Sequence, residues 1–357
     1  MEISVTQSKK ILTKITANRL AGGNPPPVMF WGAPGIGKSD VVKDVAKELG
    51  LELRDIRLAQ LDPVDLRGLP EVKDGQTKWA APDFFPQDKG SAGIIFLDEL
   101  SAADQSIQVA AYQLLLDRRI GDYVVPEKWL IVAAGNRAED NAVSLPISSA
   151  LANRMMHLEL KADSVGWLRW ASSHNIEPAV CGFIRFCPQM LFDLPANCFR
   201  GWPSPRSWEN VSKILKLELE NSEQASCISG IVGKSAAMQF IAYYKQFQML
   251  GDIREMMLNP TALPKIPEKQ MDIWYAVASA MAFWVRHGND SVETGKLLNG
   301  FFRISLTMPA TFAVVAMLDI IEASDSGDIA EALVAHPDFE SWQKRFGKDM
   351  ETMQKNG

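Results

Sequence analysis

Gly32-Ala33-Pro34-Gly35-Ile36-Gly37-Lys38-Ser39 fits the spacing G-x-x-x-x-G-K-[ST], and its flanks decide how the chain folds around it. The apolar tetrad Val28 to Trp31 precedes the stretch, and Ser39 to Leu49 reads as a helix after it. A strand, a glycine-rich turn and a helix N-terminus in that order make a cradle for an anion. Glycines let backbone N–H groups turn inward, and the helix dipole favours negative charge at the same point. Lys38 is placed to reach terminal phosphates, and Ser39 to put its hydroxyl on Mg²⁺. We take Gly32, Ala33, Pro34, Gly35, Ile36, Gly37, Lys38, Ser39 and the next residue, Asp40, as the nucleotide-contacting stretch.

Working outward, Ile94 to Leu97 and Leu130 to Ala134 are again short and continuously apolar, as strands of a parallel sheet covered on both faces are. Leu53 to Leu58 is a further strand candidate. Asp104 to Leu116 has Ile107, Ala110, Ala111, Leu114 and Leu115 on one helical face. Strands alternating with helices predict a parallel α/β sheet flanked by helices. Between Leu61 and Pro86 the pattern changes to prolines, Glu71-Val72, an Asp74-Gly75 turn and Thr77-Lys78-Trp79, which reads as an inserted β-hairpin.

The strand Ile94 to Leu97 runs into Asp98-Glu99, so two carboxylates emerge where open α/β sheets bind their ligands. Asp98 is placed to hold Mg²⁺ with Ser39, and Glu99 to polarise an attacking water as general base. An acidic pair closing a strand is otherwise an ordinary surface feature; its position sixty residues after Lys38, with a helix and a strand between, lets both reach one nucleotide.

With 357 residues the chain exceeds one hydrophobic core. We expect a helix and linker over 1–24, the α/β domain over 25–160 with its hairpin near 61–86, a helical domain over 161–250 and a helical extension over 251–357. A 47% hydrophobic and 22% charged composition is that of a globular protein, and a net charge of −6 disfavours nucleic acid as a partner. No segment has the length of a membrane span: the run Ala276 to Val285 reads as a core helix, and a cytoplasmic location is expected. Cys181, Cys187, Cys198 and Cys227 lack zinc-site spacing and read as reduced, packed thiols.

The order GAPGIGKS, IIFLDE, VAAGN, LANR and PSPR resembles that of an AAA+ ATPase, and most of all the MoxR group, over residues 25 to 250. The stretch from DPVDLRGLP to GQTKWAAPDFFP looks like that group's inserted hairpin. The resemblance implies an α/β P-loop AAA+ core with a helical lid and a helical C-terminal extension. It also implies a Mg²⁺-dependent ATPase that assembles into a ring, by family a hexamer, and remodels a protein client. That client could be a partner with a von Willebrand factor A-like domain. It assigns Asn136 as sensor 1, Arg154 in Ala150 to Met155 as the arginine finger lent to a neighbouring subunit, and Arg206 as sensor 2. Arg118 and Arg119 stay open as alternative interface arginines. Ser204 and Pro205 read as N-cap and first-turn residues that hold Arg206 at a helix start.

Two other readings of the same residues are a motor or loader acting on nucleic acid and an ATP-binding assembly switch with little turnover. Gln60 is a candidate partner for Glu99, and Lys78 and Trp79 are candidate substrate contacts or a cross-strand packing pair. Trp167, Trp170, Trp202, Trp208, Trp274 and Trp284 read as core aromatics rather than a binding platform.

Overall fold

The computed structural model describes residues 1–140, 144–196, 199–259, 266–322 and 327–356, in two compact units, Met1–Ala162 and Asp163–Gly357. Cys198 and most of the Pro260 to Pro267 break lie outside the described residues.

The first unit runs β1 (Glu2–Ser4), α1 (Val5–Leu20), β2 (Val28–Trp31), α2 (Lys38–Glu48), β3 (Glu52–Arg57), α3 (Pro63–Arg67), β4 (Leu69–Lys73), β5 (Gln76–Ala80), β6 (Gly93–Asp98), α4 (Gln105–Asp117), β7 (Arg119–Ile120), β8 (Tyr123–Val124), β9 (Trp129–Gly135), α5 (Ser149–Ala152) and β10 (Met156–Lys161). Six strands form one parallel sheet in the order β1-β10-β2-β9-β6-β3. β9 is buried along its whole length and β6 along all but its last residue, because helices cover both faces and no polar side is needed. Met29, Ile95, Leu97, Ile131 and Ala133 from three adjacent strands pack with Ile107, Ala110, Ala111 and Leu114 of α4 in one core cluster. Removing a large side chain such as Phe96 from so dense an interior costs about 3–5 kcal/mol.

β4 and β5 form the antiparallel hairpin expected from Asp74-Gly75, which occupies the turn with both residues at positive φ. A second small hairpin, β7 with β8, lies beside it: Asp122 accepts a hydrogen bond from the Trp79 backbone N–H at 3.0 Å.

The order of the large sheet positions the site. β2, β9 and β6 are adjacent, and the pairs Trp31 with Gly135 and Leu97 with Ala133 set their ends level. Residues leaving the C-terminal ends of these three strands therefore converge on one edge: Gly32, Asn136 and the Asp98-Glu99 pair.

The second unit is helical. Helix Met271–Arg286 is the core helix read from Ala276 to Val285, and Trp274, Val277, Met281 and Val285 are buried in it. Trp208 and Phe240 pack against Phe183 at centroid distances of 5.3 Å each in a separate cluster. Trp167, Trp208 and Trp274 are buried and Trp170, Trp202 and Trp284 partly so, as core aromatics are. Burial also pushes the Cys181 thiol up to about 12, which leaves it unreactive as a packed hydrophobe.

Candidate nucleotide site

The loop from Gly32 to Gly37 takes its shape from its glycines. Gly32, Gly35 and Gly37 have φ of 153°, 75° and 102°, in the region that side chains rarely enter. Space is also short at the first of them: a Cβ on Gly32 would sit 2.8 Å from the Leu160 carbonyl oxygen of β10. Gly37 caps α2, whose first turn carries Asp40, exposed to solvent. Ala33 and Ile36 are buried beneath the loop and anchor it, while Pro34 and Gly35 are partly exposed.

Lys38 is nearly buried, and its ammonium donates to the Gly32 and Ala33 carbonyls and, at 2.9 Å, to Oδ1 of Asn136. Ser39 donates its hydroxyl to Oδ2 of Asp98 at 2.9 Å. The other Asp98 oxygen accepts the Glu99 backbone N–H, also at 2.9 Å. Four of the residues selected from the sequence thus meet in two side-chain pairs, Lys38 with Asn136 beyond β9 and Ser39 with Asp98 at the end of β6.

Glu99 has φ of 60°, one of four non-glycine residues at positive φ among the described residues. A glutamate there is strained by about 1–2 kcal/mol. The Leu100 N–H, bonded to the Ala134 carbonyl at 2.8 Å, holds the following residue against β9. Partial burial, and next the Asp98 charge, push the Asp55 carboxyl on β3 above its usual range.

Ser101, which the sequence reading passed over, is fully buried, and its hydroxyl accepts the Asn136 N–H at 2.9 Å and donates to the Asn136 carbonyl at 3.1 Å. No periodicity or motif marks it.

Of the arginines, Arg154 is exposed on the turn between α5 and β10, and its guanidinium has no partner among the described residues. Arg118 is different: it caps α4 in the left-handed region and donates to the carbonyls of Pro126 and Trp129 at 3.0 and 2.7 Å. Burial, and then the charge of Arg19, bring its pKa down to about 10. Arg119 is exposed, with one long contact of 3.4 Å to the Gly121 carbonyl. Arg206 belongs to the second unit, where helix Pro205–Leu215 starts at Ser204 as N-cap and Pro205 in the first turn; Arg206 follows, exposed. Gln60 is exposed at the end of a short 3₁₀ turn.

Among known families, the description "AAA domain (dynein-related subfamily)" matches residues 27–155. No curated protein matches the sequence. Solved structures with a similar course of chain include a candidate ATPase from Cytophaga hutchinsonii, 17% identical over 78% of this chain and 76% of that one, with a TM-score of 0.34. A RuvB variant from Thermotoga maritima is 14% identical over 80% and 87%, with a TM-score of 0.39. NtrX from Brucella abortus is 13% identical over 99% and 68%, with a TM-score of 0.34. Residues 27–155 thus match the model of an AAA domain, and the parallel six-stranded sheet flanked by helices that carries them has the AAA+ core fold.

Proposed function

We propose that this protein is a MoxR-like AAA+ ATPase that binds ATP with Mg²⁺, assembles into a ring and uses hydrolysis to remodel a protein client. The observation that carries the reading is the hydrogen-bonded set Lys38, Asn136, Ser39 and Asp98 at the C-terminal edge of the sheet. The glycine cradle, where a Cβ at Gly32 would meet backbone, suits close approach by phosphate oxygens. Ser39 and Asp98, already in contact, form an oxygen donor pair of the kind magnesium takes. When bound, the metal supplies charge neutralisation on the β- and γ-phosphates.

The residues of the chain do the rest. The Gly32 to Ser39 backbone and Lys38 hold the phosphates and balance the charge that develops on them. Glu99 accepts the proton of the attacking water at a carboxylate oxygen, and the Asn136 amide orients that water. Arg154, exposed and without a partner among the described residues, is offered to the nucleotide of an adjoining subunit. Such an arginine is worth about 10³–10⁵ in rate. Arg206 takes the role of sensor 2 that the family resemblance assigns to it. A net charge of −6 favours a protein client over nucleic acid.

The test is a trap. Full-length Glu99→Gln protein, given ATP and Mg²⁺, should retain nucleotide without turnover and hold its client for identification. Unaltered turnover in Glu99→Gln would leave an assembly switch, and recovery of nucleic acid alone would overturn the client assignment.

A further inference from the structure

We propose that Ser101 is a positioning residue for ATP turnover, one that fixes Asn136 opposite Lys38 through the Asn136 backbone. The proposal rests on the hydrolytic reading above and adds a residue to it.

The β9 ladder ends at Gly135, which pairs with Trp31; Asn136 is the first residue beyond it. Its backbone N–H and carbonyl therefore lack a strand partner. Ser101 supplies one: a single fully buried hydroxyl accepts from the Asn136 N–H and donates to the Asn136 carbonyl. Ser144 adds a second hydroxyl to that carbonyl at 2.9 Å. The Ser101 carbonyl in turn accepts the Leu145 N–H at 2.6 Å, so the chain after Asn136 is tied back to the same residue.

Room for this arrangement comes from Gly135, where a Cβ would lie 2.7 Å from the Ser101 Oγ. Ser101 stands two residues after Glu99, and the N–H groups of Ala102 and Ala103 close the turn on the Glu99 carbonyl at 2.9 and 3.1 Å. One hydroxyl thus joins the turn that carries the proposed base to the residue that carries the proposed water-orienting amide. The Asn136 side chain meets Lys38 at 2.9 Å, a contact that a small backbone shift would break. Misplacement of a reacting group by about 1 Å costs on the order of 10²-fold in rate.

The experiment compares full-length wild type, Ser101→Ala, Asn136→Ala and the double variant. It reads kcat, the affinity for a non-hydrolysable ATP analogue with Mg²⁺, and amide hydrogen exchange at Asn136. Ser101→Ala is expected to lower kcat by about 10- to 100-fold, to keep analogue affinity within about threefold, and to speed exchange at Asn136. The double variant is expected to be no slower than Asn136→Ala alone, since both changes disable one unit. Wild-type kcat in Ser101→Ala, losses that multiply in the double variant, or unchanged exchange would each overturn the proposal. A wild type that releases no phosphate sinks the hydrolytic reading instead, and the exchange comparison then decides the role of Ser101. If Ser101→Ala does not fold, Ser101→Cys, which keeps the shape of the side chain with a slightly larger atom that bonds weakly, is read in its place with the same expected order.

Discussion

Trp31 donates its indole N–H to Nδ1 of His157 at 2.8 Å, and the two rings stack 12° from parallel. Because Nδ1 accepts, the ring proton sits on Nε2, which donates to the Ala152 carbonyl at 2.8 Å. The imidazole bridges the residue before Gly32 to the end of α5, two residues before Arg154. His157→Phe keeps a ring and loses both bonds. It is expected to lower the urea midpoint by about 1 kcal/mol of stability at unchanged slope, and to reduce turnover more than nucleotide affinity. An unchanged midpoint would show that the bridge contributes nothing.

Gly32 and Gly37 differ in what an added methyl would meet. At Gly37, with φ of 102°, nothing lies within 4 Å, so Gly37→Ala carries backbone strain alone, about 1–2 kcal/mol. At Gly32 the Leu160 carbonyl and the Ile36 side chain stand in the way as well. Gly32→Ala should therefore be the less stable of the two by a further ~1–3 kcal/mol. Denaturation midpoints of the two variants in the same buffer check the order.

Arg154 and Arg118 separate by the kind of loss. Arg154→Ala removes an exposed side chain with no partner among the described residues, so it should leave the melting temperature unchanged while lowering turnover by at least about 10³-fold at unaltered nucleotide affinity. Arg118→Ala removes two bonds to backbone carbonyls and should cost about 2 kcal/mol of stability. Parallel melting and phosphate-release assays would show an error if Arg154→Ala melted early or hydrolysed normally.

Strands β2, β6 and β9 were legible because a parallel sheet buried on both faces leaves continuous apolar runs. The edge of the same sheet was not. β10, Met156 to Lys161, places exposed Glu159 and Lys161 among its apolar residues, and β1 has three residues, so neither makes a run that stands out. The loop and Asp98 could be read from spacing and Asn136 from the family resemblance, and the structure brings Lys38 to Asn136 and Ser39 to Asp98. Ser101 could not, since it acts on a backbone 35 residues away, and neither could the bonds of the Arg118 side chain to the Pro126 and Trp129 carbonyls. Glu99 was named, but its left-handed backbone follows from the turn onto Ala134, which no local pattern announces.

In the helical unit, His287 stacks on Phe283 and donates from Nδ1 to the Phe283 carbonyl at 2.8 Å. Burial, the largest influence, holds its pKa below 6.5, with Arg286 and Lys216 acting the same way against that carbonyl bond. The unfolded chain then takes up the proton first as pH falls. Stability is full above pH 6.5 and declines below it, toward the depressed native value. His336, also lowered by burial, adds the same sign. Thermal melts between pH 7.5 and 6 should show a falling midpoint, with a shallower fall in His287→Gln; a rising midpoint would contradict the assignment.

The central claim is that Lys38 and its neighbours seat a hydrolysable triphosphate. Its most direct measurement is phosphate release by the purified chain with ATP and Mg²⁺, taken over a range of protein concentration beside Lys38→Ala. The account predicts turnover per subunit that rises as subunits associate and vanishes in Lys38→Ala. Failure of the wild-type protein to retain or hydrolyse ATP with magnesium supplied would contradict it.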